Sequence, residues 1–265
     1  MSQLVSRLLV GAALLPIVLG VSWLGGWWLF AVVLLASLVA LHELYTMTRG
    51  QRPLVLAGYV GLVVLLLGVE LGGIGWLGAG PLATVLVAFV LYGIADARPS
   101  AAAAFGTTLL GVVWVGGGLA HVILLRDIEE HGRTLVFAVA LAVFAGDTAA
   151  YFVGRAIGRH RLAPTISPKK SWEGFIAGTL ASVVVTFFAL YEDRETYLAI
   201  WESLVLGLAV AIAAVLGDLF ESAVKRDVGV KDSGRLLGGH GGMLDRLDSL
   251  LWAVPAAYYV TLALT

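Results

Sequence analysis

Residues Asp218–Asp248 read DLFESAVKRDVGVKDSGRLLGGHGGMLDRLD, and they hold eleven of the charged side chains of the chain. The stretch has no apolar run long enough to cross a bilayer. It is pressed between LVLGLAVAIAAVLG, residues 204–217, and LLWAVPAAYYVTLALT, residues 250–265. A polar segment this dense between two hydrophobic helices belongs in water or in a water-filled cavity. Asp218, Asp245 and Asp248 then sit at or below a membrane surface. There a carboxylate costs about 2.5–3.5 kcal/mol at a helix centre and marks a candidate functional site.

The composition agrees with a membrane setting. The 265 residues are 60% hydrophobic and only 13% charged, against about 25% charge in an ordinary soluble domain. The net charge of −1 says nothing about a nucleic-acid partner, there is no basic tail, and no nucleic acid is expected as a partner. Cysteine is absent, which excludes a disulfide framework, a thiol nucleophile and Cys-ligated metal. The apolar run after Arg7 imitates a signal peptide, but no small-residue cleavage region follows it. It is read as a retained first span.

A span needs about 20 mostly apolar residues, and nine stretches qualify: 8–24, 27–45, 53–69, 81–96, 101–125, 134–154, 172–190, 203–222 and 249–264. The expected fold is therefore all-α, a polytopic helical bundle with a cytoplasmic N-terminus. It is read as a single transmembrane domain over 1–265, with 1–130 as scaffold and 131–265 carrying the chemistry. Alternating nine spans from an inner N-terminus leaves only Arg126, Arg133 and Arg194 outside, among seventeen Lys and Arg. Such a bias sets orientation and places both the 218–248 segment and the basic 155–171 loop in the cytoplasm.

Asp218 lies seven residues before Lys225, about 10 Å along a helix at 1.5 Å per residue, on a face shared with Ser222 and Lys225. Asp245 and Asp248 share the opening face of the last span. Helices flanking one loop are expected to be neighbours, which lets Asp218 face Asp245. An all-oxygen cluster of this kind suits Mg²⁺, which takes one or two carboxylates together with substrate phosphates. The competing reading pairs these aspartates with Lys225, Arg226 and Arg246. Gly238-Gly239-His240-Gly241-Gly242 leaves backbone N–H groups unobstructed and can form an anion-binding nest, although a glycine run alone is more often a plain flexible loop. Beside Lys225, Arg226, Lys231 and Arg246 it suits a polyphosphate. Asp147, eight residues before Arg155, is either a further metal or lipid-pocket contact or a buried partner for a basic residue. His42-Glu43, near the cytoplasmic end of the second span, either reaches the pocket or serves interhelical hydrogen bonding, and the second reading is preferred.

Ser222-Ala-Val-Lys225-Arg226, Lys231-Asp232, Gly239-His240-Gly241-Gly242 and Asp245-Arg246-Leu-Asp248 together resemble the signature of phosphatidate cytidylyltransferases (CDP-diacylglycerol synthases). Ser167-Pro168-Lys169-Lys170-Ser171-Trp172-Glu173-Gly174 and Gly146–Arg155 resemble further stretches of that family. Gly238 departs from it, standing where the family often has proline.

The resemblance implies transfer of the cytidylyl group of CTP to phosphatidate, giving CDP-diacylglycerol and pyrophosphate for phospholipid synthesis. It implies Asp218 and Asp245 as Mg²⁺ ligands, with K⁺ as an accompanying cation, and Asp248, Lys225 and Arg226 as further catalytic residues. Ser222, Lys231, Asp232, Gly239, His240, Gly241, Gly242, Arg246, Ser167, Lys169, Lys170 and Asp147 are the substrate-binding candidates. It also implies a homodimer in the bilayer with the active site facing the cytoplasm, at the inner membrane in a bacterium. Two rivals remain open: a CTP-dependent lipid kinase and a cation-coupled transporter. A transporter should carry internal repeats with broken spans at matching positions, and no matched half is apparent.

Overall fold

The computed structural model describes residues 19–94, 100–234 and 241–265. Its architecture is helical. Helices α1 (Gly26–Met47), α2 (Val55–Gly72) and α3 (Ala79–Ile94) are followed by α4, which runs from Ala101 to Arg126 through a π-helical turn at Val112–Gly117. Then come α5 (Gly132–Ile157), a strand pair, α6 (Trp172–Ala189), α7 (Ile200–Asp227), the short α8 (Leu244–Leu247) and α9 (Leu250–Leu264).

Seven of the described helices are long and apolar enough to cross a membrane, against the nine spans expected. Ala79–Ile94 is apolar but has only 16 residues, about 24 Å of helix. The first expected span, 8–24, lies outside the described residues except for 19–24, which are helical. The basic 155–171 segment is not only loop. Arg161–Ala163 (β1) pairs antiparallel with Ser167–Ser171 (β2), Arg161 opposite Ser171 and Ala163 opposite Ser167, with an irregularity between them.

The chain divides into two compact units, Met1–Leu124 with Val228–Leu247, and Leu125–Asp227 with Asp248–Thr265. In the first, Leu41, Leu44, Leu62, Leu65, Leu66 and Ile123 are fully buried. Close helix approach there depends on small residues: a Cβ on Gly111 would lie 2.8 Å from the Tyr45 ring. The Tyr45 hydroxyl donates to the Thr108 carbonyl at 2.7 Å, and the Leu54 N–H donates to Thr108 Oγ1 at 2.8 Å. These bonds satisfy polar groups that water cannot reach.

In the second unit α5 and α6 meet along a seam of small residues. A Cβ on Gly178 would lie 2.8 Å from the Gly146 carbonyl, and one on Gly174 would lie 2.7 Å from the Ala150 carbonyl. Ser182 Oγ donates across the seam to the Ala142 carbonyl at 2.8 Å. Lipid tails are as apolar as leucine, so such close backbone packing and interhelical bonds, rather than water exclusion, hold the helices together. Ser171 ends β2 and caps α6, its hydroxyl accepting from the Gly174 N–H at 3.2 Å. The strand pair is thereby joined directly to the first turn of α6.

Candidate active site

Asp218 sits about two and a half turns before the end of α7, and the packing around it begins with its neighbour. A Cβ at Gly217 would lie 2.5 Å from the Asp248 carbonyl, so only glycine lets α7 pass this close to the start of α9. The carboxylates of Asp147 on α5, Asp218 and Asp248 stand within electrostatic reach of one another, with Lys170 and Lys225 as positive neighbours. Lys170 Nζ pairs with Asp218 Oδ2 at 2.6 Å, both side chains about three-quarters buried. Ser222 Oγ donates to Asp218 Oδ1 at 3.3 Å, one helical turn on. The helix face shared by Asp218 and Ser222 is therefore present as the spacing predicts.

The strand geometry separates two residues the sequence treats as a pair. Successive side chains on a strand point to opposite faces, and Lys169 is exposed while Lys170 turns in to Asp218. Arg226 Nε donates to the Ile166 carbonyl at 3.4 Å, which ties the end of α7 to the hairpin that carries Ser167, Lys169 and Lys170. Lys225 is held by Glu221, one turn earlier, at 2.5 Å. Glu221 is fully buried and is absent from the sequence reading, although its i,i+4 spacing to Lys225 is a recognised pairing signal. Glu173 accepts from His160 Nδ1 at 2.7 Å, a contact within the hairpin and the α6 start.

In the first unit the residues of the 228–247 segment gather around Asp245 and around Glu43 of α1. Asp245 Oδ1 and Oδ2 accept from the Ser233 N–H at 3.2 and 3.0 Å, and Oδ2 also accepts from the Gly242 N–H at 2.8 Å. The Gly242 N–H that the nest reading offers to an anion is thus directed at Asp245. Gly241 has φ +80°, the left-handed region that favours glycine. Glu43 accepts from Ser233 Oγ at 3.1 Å, from the Met243 N–H at 3.0 Å and from the Leu244 N–H at 2.9 Å. Neither Ser233 nor these N–H groups are singled out by sequence spacing. His42 bonds Tyr59 of α2 at 3.0 Å, so both members of the His42-Glu43 pair do hydrogen-bond across elements. Lys231, Asp232 and Arg246 are exposed. Gly239 and His240 lie outside the described residues. Asp218 belongs to the second unit and Asp245 to the first.

Among the described residues no three His, Asp or Glu side chains form a ready-made metal cage. Mg²⁺ does not require one, since it keeps waters and binds through one or two carboxylates plus substrate phosphates. The Asp147, Asp218 and Asp248 group offers only oxygen donors, the set a hard cation prefers, and it fits on that ground.

Comparison with known proteins gives one consistent result. The cytidylyltransferase family matches residues 5–264. A phosphatidate cytidylyltransferase of Staphylococcus haemolyticus is 34% identical over 252 residues, covering 94% of this chain and 95% of the relative. One of Brucella melitensis is 37% identical over 266 residues, covering 97% and 93%. One of Mycobacterium tuberculosis strain H37Rv is 36% identical over 255 residues, covering 87% and 74%.

Proposed function

The chain belongs to the cytidylyltransferase family, and from that premise we propose how its residues divide the work of making CDP-diacylglycerol. It is an integral membrane nucleotidyltransferase that transfers the cytidylyl group of CTP to phosphatidate. An oxygen of the lipid phosphate bonds to the α-phosphorus of CTP as the bond from that phosphorus to the α,β-bridging oxygen breaks, and pyrophosphate leaves. The attacking oxygen already carries negative charge, so no strong general base is needed. Positioning and electrostatics can carry the rate.

The observation that supports this reading most is the Asp218 centre, where a carboxylate group, a buried lysine contact and a basic helix end lie within one unit. Asp218 and Asp248, with Asp147 nearby, are the residues we assign to Mg²⁺, which when bound supplies neutralising charge to the phosphates. Asp245 stays a candidate ligand on the resemblance alone, because backbone N–H groups already draw on its oxygens. K⁺ and the homodimer are likewise carried by the resemblance. Lys170 fixes Asp218, which leaves the exposed Lys169 to meet the lipid phosphate. Arg226, anchored at Ile166, and Lys225, anchored at Glu221, present positive charge at the end of α7 without the freedom of ordinary surface side chains. We place this face in the cytoplasm, as the Lys and Arg distribution favours.

The test follows the phosphorus. Purified protein in mixed micelles with phosphatidate and Mg²⁺ should move label from α-labelled CTP into lipid, with γ-label recovered only in pyrophosphate. Transfer of γ-label to a lipid alcohol, with none from the α-position, would make the enzyme a kinase and overturn the assignment.

A further inference from the structure

Helices α7 and α9, both in the second unit, leave between them an apolar groove of about 360 Å³. Ala209, Ala213 and Leu216 line it from α7, and Trp252, Ala256 and Tyr259 from α9. Ala213 is buried at its floor, while Leu216 and Tyr259 on its rim are each 49% exposed. The groove is therefore open to whatever surrounds the span. Its lining is almost wholly apolar, so it offers no hydrogen bonds to repay the desolvation of a nucleotide or a phosphate.

One end of this groove meets the carboxylate centre. A Cβ on Gly217, the residue between Leu216 and Asp218, would lie 3.0 Å from Trp252 Cδ1. Trp252 also packs its ring against Phe220, the centroids 5.4 Å apart, and it follows Asp248 by a single helical turn. From this end the lining runs back along α7 to Ala209 and forward along α9 to Tyr259, about 10 Å by either helix at 1.5 Å per residue. Both directions lead away from Lys225 and Arg226 and into the apolar middle of the spans.

We propose that this groove holds one acyl chain of the lipid substrate, so that chain length is read between α7 and α9. This rests on the proposed reading that the phosphate of phosphatidate reacts at Asp218 and Asp248. A lipid whose phosphate lies there directs its chains into the bilayer, and the groove begins beside those carboxylates. Its dimensions suit a chain and not a second protein. About 360 Å³ over about 10 Å of helix leaves a channel about 7 Å across, narrower than a helix with its side chains, at about 10–12 Å. The surrounding lipid tails are as apolar as the lining, so lodging a chain gains nothing from water exclusion. The groove acts by orientation instead, holding the headgroup over the carboxylates in the geometry of attack.

The experiment uses the full-length protein in mixed micelles and a phosphatidate carrying a photoreactive diazirine midway along one acyl chain. Irradiation should attach it within 209–216 or 252–259. Unlabelled phosphatidate in excess should remove this adduct, and phosphatidylcholine at the same excess should not. Ala256→Leu fills the groove from α9 and Ala209→Leu from α7, and the photolabelling of the wild type stands whether or not either variant folds. Each variant should lower kcat/KM for dioleoyl phosphatidate about tenfold relative to dihexanoyl phosphatidate, the lower end of what a methylene in an apolar pocket discriminates. KM for CTP should be unchanged. An adduct only elsewhere, equal losses with the two lipids in folded variants, or displacement by phosphatidylcholine as readily as by phosphatidate overturns the proposal. So does a second copy in the groove, read as a disulfide between chains in Leu216→Cys, since the chain has no cysteine of its own. A wild type that makes no CDP-diacylglycerol yet keeps the phosphatidate-specific adduct sinks the functional reading and leaves the groove standing as a lipid site.

Discussion

The Lys170–Asp218 contact yields a quantitative test because two separate elements meet in it. Lys170 comes from β2 and Asp218 from α7, and their charged atoms are 2.6 Å apart with side chains only 24% and 29% exposed. Coulomb attraction at an effective dielectric of 20 is about 4 kcal/mol for charges 4 Å apart and larger at closer range. Lost hydration and side-chain ordering reduce this, and hydrogen bonds to charged groups contribute about 1.5–3 kcal/mol net. At 1.36 kcal/mol per decade, Lys170→Gln should lower kcat/KM roughly ten- to 150-fold if the lysine works by holding Asp218 in place. Asp218→Asn should cost more, since it also removes a carboxylate assigned to Mg²⁺. The discriminating measurement is Lys170→Gln in the Asp218→Asn background, where the lysine has lost its charged partner. There its further cost should fall below about threefold, as expected for residues acting as a unit. Incorporation of α-labelled CTP into lipid is sensitive enough to follow the slow variants. An equal penalty for Lys170→Gln in both backgrounds would refute the argument and make Lys170 an independent phosphate contact.

Orientation can be read by thiol labelling, because the chain has no cysteine. Lys231→Cys should react with an impermeant reagent only in inverted vesicles, and Glu195→Cys, at a side chain 79% exposed, only in right-side-out ones; the reverse pattern inverts the topology. Gly178→Val should destabilise the α5–α6 seam by about 1–3 kcal/mol, the usual cost of overpacking. Unchanged thermal unfolding in detergent would refute the tight approach to Gly146.

The parts legible in the sequence are those governed by short-range rules. Apolar run length set the helices from 26 onward with ends close to those observed, since spanning length depends on composition alone. The i,i+4 relation put Ser222 beside Asp218 for the same reason. The strand pair escaped notice because β1 has three residues and Pro168 interrupts any alternation in β2. As a result Lys169 and Lys170 read as one basic pair, when the pleat gives them different surroundings. Glu43 escaped because nothing local announces a contact with Ser233, Met243 and Leu244. A carboxylate near the end of a span looks the same in sequence whether it faces water or a buried backbone. The carboxylates of Asp147 and Asp248 were visible as intramembrane charges, but the proximity of Asp248 to Asp218 depends on the Gly217 approach, and that of Asp147 on α5 likewise on packing between helices.

The reach of Glu43 also bears on the order in which the protein is made. The ribosome releases α1 about 190 residues before Ser233, an interval of roughly ten to forty seconds at about 5–20 residues per second. Through that interval the carboxylate has none of the three donors it meets in the finished chain, and it stays hydrated at the span end. The helices of the second unit from α5 to α7 are all synthesised before those donors emerge. The first unit therefore cannot reach its final packing while it is the only part made. A nascent chain stopped before residue 228 would carry Glu43 in water, with none of the three protein donors. Completion of the scaffold is in this way coupled to synthesis of the segment it supports.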